Sequence, residues 1–325
     1  MIAAKPHKEY EEQIQMLLER GMEIGDQVRA IRKLSQVGYY RLSGFWYTSK
    51  IIVSSDDGYS YRSDKFLENT NFEDAYKLYL FDKKLRLLMM DALERIEIHI
   101  RSVIAHEVGR GSPLAYLNDN AINPRYLSSR QGELSSYGKW LRKQEQKISE
   151  SRDECIAWHK QEDKEIPFWV AVETWDFGQM SKYYSMLKGN WQDKIIQRLG
   201  VDNRRVFEQW LVALNILRNR CAHHSRIWNR KHNPLPKLEN EYFNTKNLND
   251  NAKERIFMDI LILWFLVKKI GPNSTWLKQV ADHIDTKPVL PGCPYTSMGI
   301  SSAGFPRHLF NDEFANGPVA NDDKA

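Results

Sequence analysis

Apolar residues recur at three- and four-residue steps along most of this chain, the spacing that gathers them on one face of a helix. Tyr10 to Arg20 carries them at 14, 17 and 18, and Gly21 closes the segment as a C-cap. Ile24 to Leu34 repeats the pattern at 24, 28, 31 and 34. Gly38 to Tyr47 is dense in aromatics and framed by Gly38 and Gly44. Ile51 to Arg62, with Ser54-Ser55-Asp56-Asp57-Gly58 in its middle, reads as a short hairpin or an ordered loop. Asn71 to Val108 is the longest periodic stretch: neither proline nor glycine interrupts it, so one or two long amphipathic helices are expected, stopped at Gly109-Arg110-Gly111-Ser112-Pro113. Ser135 to Lys164 is highly charged and weakly apolar, as a solvated helix or helical arm would be. Pro167 opens the next helical segment, with Gly178 as a break inside it. Asn203 to Arg218 puts Val206, Phe207, Trp210, Leu211, Leu214 and Leu217 on one face, and Lys253 to Ile270 is a further apolar helix ended by Gly271-Pro272.

The sum is an all-α chain with a short hairpin or ordered loop, and no alternation of strands and helices supports a nucleotide-binding α/β sheet. Three regions are expected. Residues 1–70 form an N-terminal helical region, residues 71–285 a helical domain with a charged helical arm near 135–164, and residues 286–325 a poorly ordered tail. The tail expectation rests on five prolines and weak periodicity. The 325 residues are 42% hydrophobic and 27% charged, a globular composition that excludes wholesale disorder. Cys155, Cys221 and Cys293 lie far apart with no CxxC pair, which argues against a disulfide scaffold and a cysteine zinc site and fits a reducing cytoplasm. The first residues lack the apolar core of a signal peptide. The longest apolar run, Ile260 to Val267, has eight residues. A membrane span needs about 20, so the run reads as a buried helix and no membrane association is expected.

Charge changes the picture in one place. The net charge is only +5, yet Gln209 to Leu238 contains no acidic residue while holding Arg218, Arg220, Arg226, Arg230, Lys231, Lys237 and three histidines. Such an interval makes a positive field suited to a polyanion. Arg218 and His223 are five residues apart, about 140° around a continuous helix. They meet on one phosphate only if the helix ends or kinks between them, or if a second copy supplies the partner. RNA cleavage needs the ribose 2′-OH to lose a proton, the phosphorane to be held and the 5′-oxygen to gain a proton. Histidine suits the proton transfers and arginine's planar fork suits phosphate oxygens. Asn219 can orient a ring or a phosphate oxygen. Residue types alone leave a metal-independent nuclease and a basic interaction module both open, beside the bland reading of a capping arginine and an ordinary histidine.

Arg218-Asn219-x-x-x-His223 resembles the RxxxxH signature of HEPN domains. Gly38-Tyr39-Tyr40-Arg41-Leu42-Ser43-Gly44 is similar to the GYYRLSG segment of the abortive-infection family of the AbiD and AbiF type. Phe81-Asp82-x-x-Leu85-Arg86, followed by Leu93-Glu94-Arg95-Ile96-Glu97, resembles that family's long helix. Pro167-Phe168-Trp169, Glu173, Phe177-Gly178 and Ser181 resemble its next block, and Ala222 to Arg230 the end of its arginine–histidine block. The blocks occur in the family's order over roughly residues 10 to 270. The resemblance implies a HEPN-like helical bundle with additional helices, in a bacterial anti-phage or toxin–antitoxin protein that acts as a homodimer and cleaves RNA without a metal or other cofactor. It implies Arg218 as the phosphate clamp, His223 in proton transfer or transition-state binding, and Asn219 ordering the site, with His224 as a neighbour.

Around that core, Arg220, Arg226, Trp228 and Arg230 are candidates for touching RNA, Trp228 also for anchoring its segment. Glu94 and Glu97 share a helix face, either as a salt-bridged surface or with Glu94 or Arg95 facing the bundle and buttressing the Arg218–His223 pair. Glu173 and Asp176 with the adjacent histidines lack the i,i+4 spacing of a helical metal pair, so no metal site is assigned. The Tyr39 to Tyr47 aromatics either stack on bases or pack a helix corner. A non-catalytic RNA-binding or sensor module of phage defence is the alternative function, and a purely structural helical scaffold a third. RNA is the expected partner. Restraint of a lethal ribonuclease calls for an antitoxin, either a small RNA or a protein.

Overall fold

The computed structural model describes residues 6–314 apart from positions 56, 131 and 247. The described chain is mostly helical with one antiparallel hairpin. It opens with α1 (Tyr10–Glu19), α2 (Gln27–Val37) and α3 (Tyr39–Trp46), followed by the strands β1 (Lys50–Ser54) and β2 (Ser60–Phe66). Then come α4 (Phe72–Gly109), α5 (Ser136–Glu150), α6 (Glu154–Gln161), α7 (Phe168–Ala171), α8 (Phe177–Met186), α9 (Gly189–Arg198) and α10 (Arg204–Ala222). The rest comprises α11 (Glu241–Asn244), α12 (Asp250–Lys253), α13 (Ile256–Ile270), α14 (Trp276–Asp285) and α15 (Asn311–Phe314). The long periodic stretch is one uninterrupted 38-residue helix, and the segment read as hairpin or loop is a hairpin pairing Ile52 with Arg62 and Val53 with Tyr61.

The chain forms two compact units, each assembled from separate stretches: Met1–Leu88, His224–Lys231 and Lys278–Ala325 make the first, Met89–His223 and His232–Leu277 the second. The division expected near residue 70 thus falls inside α4 instead. A boundary in an unbroken helix leaves no trace in composition or turn residues.

In the first unit, Leu17, Leu34, Leu42, Trp46, Leu78 and Leu85 are buried together with Phe45 and Phe72. Gly38 ends α2 and starts α3 at φ 88°, a left-handed conformation that favours glycine. The Tyr39–Tyr47 aromatics divide: Phe45 and Trp46 pack against Tyr79 and Phe72, while Tyr40 stays 78% exposed. Residues 286–314 depart from the expectation of a poorly ordered tail. Leu290, Cys293, Met298, Ile300, Phe305 and Phe310 are buried in this unit. The segment docks on the turn before β1, where Ser49 donates to the Pro291 carbonyl at 2.6 Å. Gly292 lies so close that a Cβ there would come 2.1 Å from the Thr48 carbonyl oxygen, so only glycine fits. Scattered apolar anchors between prolines carry this packing, which periodicity does not register. The remaining tail positions, 315–325, lie outside the described residues.

In the second unit α13 is buried from Ile256 through Val267, on all sides, as its continuous apolar sequence requires. The charged stretch 135–164 does not project as an arm. It forms α5 and α6, and α5 is seated by three buried residues: Trp140 on α8, Tyr137 donating to the Tyr116 and Asn118 carbonyls, and Gln144 donating to the Ala171 carbonyl and Thr174 Oγ1. Trp140 packs on Trp175 and Tyr183 with ring centroids 5.0 and 4.8 Å away, and its Nε1 donates to the Gln179 carbonyl at 3.1 Å. Three buried positions at i, i+3 and i+7 suffice to seat a helix whose remaining face is charged. The break placed at Gly178 occurs just before it: Asp176 caps α8 by accepting from the Gln179 amide, and Gly178 lies within the first turn. Helix α10 starts at its Asn203 cap and runs a turn past Arg218, to Ala222.

Asp82 of α4 is fully buried, ion-paired with Arg86, and accepts from the Ile227 and Trp228 amides at 2.9 and 2.8 Å. Burial pushes this carboxyl upward, against Arg86 and the two amides, which favour its charged form. Replacing it, Asp82→Ala, leaves a buried guanidinium and two amides without their acceptor and is expected to cost about 3–5 kcal/mol, read as a lowered midpoint in chemical denaturation. Asp82→Asn, which keeps an acceptor, is expected to lose less.

Candidate functional site

The carboxy-terminal turns of α10 carry Arg218, Asn219 and Arg220, and His223 caps the helix by donating its backbone N–H to the Asn219 carbonyl at 2.9 Å. Because α10 stays regular through Ala222, Arg218 and His223 keep the roughly 140° separation of a continuous helix. The Arg218 side chain is 33% exposed. Its Nε lies 3.8 Å from a Glu97 carboxylate oxygen and makes no hydrogen bond, and its Nη1 reaches Asn219 Oδ1 at 3.5 Å. Glu97 is buried and also faces Arg101 at 3.6 Å, while Arg101 reaches Glu173 at 3.7 Å. Burial raises the Glu97 carboxyl, with Arg101 and Arg218 opposing the shift. Asp176 completes this electrostatic neighbourhood. Its partial burial is outweighed by Lys147, the Gln179 amide and Arg218, which hold its carboxyl below the usual range.

His223 is exposed, and so is His224 beyond it. His224 adopts φ 57°, the left-handed conformation that usually selects glycine after a helix. Its carbonyl accepts from Arg41 Nη1 at 2.9 Å, and Gly44 sits where a Cβ would approach Arg226 Nη1 to 3.5 Å. The GYYRLSG segment therefore packs on residues 224–226. Arg226 is half-buried with Nη1 unpaired, and burial and Arg230 lower its affinity for the proton. Arg230 is exposed.

Two expectations change at this point. Trp228 is fully buried, its backbone amide held by Asp82, so it anchors its segment and is not presented to a ligand. Glu94 and Arg95 are both exposed, and Arg95 engages Asp91 and Ser274 Oγ. The α4 residue that reaches Arg218 is Glu97. The sequence held that signal: measured from Leu93, Ile96 and Ile100 lie within about 60° of the apolar axis and so does Glu97, whereas Glu94 is about 100° and Arg95 about 160° away. Arg220 points to another side of α10, where with Val212, Ile216, Leu235, His232 and Asp259 it lines an apolar groove of about 330 Å³.

His232 faces two acceptors, the Asn233 carbonyl at 2.8 Å from Nδ1 and Asp259 at 3.1 Å from Nε2. Only the doubly protonated ring donates to both. Burial opposes that charge, but the hydrogen bond and field of Asp259 outweigh it and raise the imidazole's pKa. The interval that holds no acid in sequence is thus met in space by Glu97, Asp82 and Asp259. Among the described residues no group of three or more His, Cys, Asp or Glu side chains is placed to hold a metal ion, and no helix is long and apolar enough to cross a membrane.

The profile of one protein family, described as Abi-like protein, matches residues 32–229, more than half of the chain and the interval that holds both the GYYRLSG segment and α10. No curated protein and no solved structure matches the chain.

Two outcomes follow from this geometry. Raising the His232 pKa on folding adds stability that is complete below the ordinary histidine value of about 6.5 and is lost as pH rises through the raised value. Thermal melts from pH 5.5 to 8.5 are expected to show that loss, and Asp259→Asn to flatten it. Relief of the left-handed strain makes His224→Gly more stable by about 1 kcal/mol, read as a higher denaturation midpoint.

Proposed function

The chain belongs to the Abi-like protein family, and on that footing we propose that it is an endoribonuclease of HEPN type that acts in abortive infection and cuts RNA without a metal. One observation carries the reading. A guanidinium that is one-third exposed, with a polar atom left unpaired, is steadied by a buried carboxylate one turn before an exposed histidine at the helix end.

In this reading Arg218 receives the non-bridging oxygens of a phosphate and stabilises the charge that builds on the phosphorane. His223 moves the protons: the 2′-OH loses one, the 2′-oxygen bonds to phosphorus, the bond to the 5′-oxygen breaks, and that oxygen is protonated. The products are a 2′,3′-cyclic phosphate and a 5′-hydroxyl. Asn219 steadies Arg218 through its side-chain oxygen, and Glu97 and Arg101 act as positioning residues behind it. The separation of Arg218 from His223 around α10 favours a homodimer in which two copies of the motif serve one phosphate. His224, Arg226 and Arg230 would meet the flanking strand, in the cytoplasm where its RNA lies, and an RNA or protein antitoxin would restrain it.

Glu97 also favours a second reading. A guanidinium already faced by a carboxylate is partly neutralised, which suits an RNA-binding or sensor module that holds a strand without cutting it. Purified protein incubated with end-labelled RNA in EDTA separates the two. Fragments ending in cyclic phosphate support the nuclease, and RNA that is bound but intact supports the module.

Under these conditions Arg218→Ala and His223→Ala are each expected to reduce cleavage by at least about 100-fold with circular dichroism unchanged. Glu97→Ala is expected to lose on the order of 10- to 100-fold through misplacement of Arg218, whereas the exposed Glu94→Ala leaves the rate as it was. Wild-type rates from both arginine and histidine variants would remove the nuclease reading.

A further inference from the structure

We propose that the lysine-lined groove between α5 and α8 is the track along which a single-stranded RNA lies on its way to Arg218, an inference that rests on the ribonuclease reading for the strand's destination but not for its binding. The groove has a volume of about 640 Å³. Lys139, Lys143 and Lys147 recur every four residues along α5, a stripe of about 12 Å at 1.5 Å per residue, and Lys182 of α8 faces the same groove.

The acids in the groove are already engaged. Asp176 is bound by Lys147, and Glu150, which accepts from Gln146 Nε2 at 2.8 Å, keeps its charge, so four lysines stand against two carboxylates. Lys139 meets Glu133 at 3.6 Å, a surface pair of two exposed side chains that holds it weakly. Among the described residues Lys143 and Lys182 make no ion pair. The groove therefore keeps a positive excess that a chain of phosphates complements.

Two further features fit a strand of unpaired nucleotides. Lys182 Nζ lies 5.4 Å over the ring of Tyr126, which Arg125 covers at 4.5 Å, so a second cation gathers with Lys182 beside the groove. Gln179 also lines the groove, its side chain buried with Nε2 unpartnered. Gly178 of the groove lies where a Cβ would come 3.5 Å from the side chain of Asn215, one turn before Asn219 on α10, which joins the groove to the α10 site.

The test measures binding of a fluorescent 2′-O-methyl RNA 16-mer, which keeps the phosphates but cannot be cut, against salt concentration. The groove variant Lys139→Gln/Lys143→Gln/Lys182→Gln is compared with wild type and with Lys8→Gln/Lys83→Gln/Lys84→Gln, which removes the same charge from exposed lysines elsewhere. Losing three phosphate contacts makes the slope of log K against log salt shallower by about 2. That change in the groove variant, and not in the control, is expected. Equal slopes in both variants, or a wild type that binds no RNA, overturn the proposal, and tighter binding of an RNA duplex than of the single strand overturns the assignment of the strand. Cleavage of unmodified RNA by Arg218→Ala reports separately: an active Arg218→Ala beside a weakened groove variant removes Arg218 as the cleavage site and leaves the groove, while the reverse removes the groove alone.

Discussion

A buried carboxylate must find a cation or several donors, because the low-dielectric interior makes an unpaired charge prohibitive. Of the buried carboxylates on helix α4, two set the position of a segment more than a hundred residues downstream. In the first unit Asp82 pairs with Arg86 one turn on and takes the amides of Ile227 and Trp228. In the second unit Glu97 pairs with Arg101 one turn on and faces Arg218. Each lies on the apolar side of its helix with an arginine four residues later, and each spends its remaining capacity on the basic interval. That interval owes its placement as much to these carboxylates as to its own apolar residues.

The same pairing qualifies the electrostatics. A stretch without acids reads as a strong positive field when charges are counted along the chain. Once folded, Glu97 faces Arg218, Asp82 takes the Ile227 and Trp228 amides and Asp259 meets His232, while Arg230 stays exposed. Residual charge of that kind discriminates: it favours ligands that can reach the particular guanidinium over polyanions in general.

Much of the fold was legible because helical periodicity is local. The long α4, the apolar face of α10, the buried α13 and the hairpin all follow from spacing within a dozen residues. What was lost was information that is not local. Trp228 sits between basic residues and looks available, yet Asp82 draws its backbone inward. Residues 286–314 lack periodicity, yet Leu290, Cys293 and Phe305 are seated one at a time in the first unit, with Gly292 allowing the close approach. The charged α5 announced its lysines and hid the Tyr137–Trp140–Gln144 side by which it is attached. The choice between Glu94 and Glu97 was decidable from helical phase, whereas pairing of Glu97 with Arg218 needed the tertiary structure. The left-handed turn at His224 likewise had no marker, since glycine is the residue that normally announces it.

The threading of the two units has a consequence for biosynthesis. Each draws on stretches far apart in the chain, the second closing with residues up to Leu277 and the first with stretches from Lys278 onward. A ribosome that adds about 5–20 residues per second needs tens of seconds to deliver those last pieces, and until then the Gly292 contact does not exist. Neither unit can mature early as an independent domain. A nascent or prematurely terminated polypeptide is therefore a client for chaperones and proteases, and the finished architecture arises late and nearly all at once.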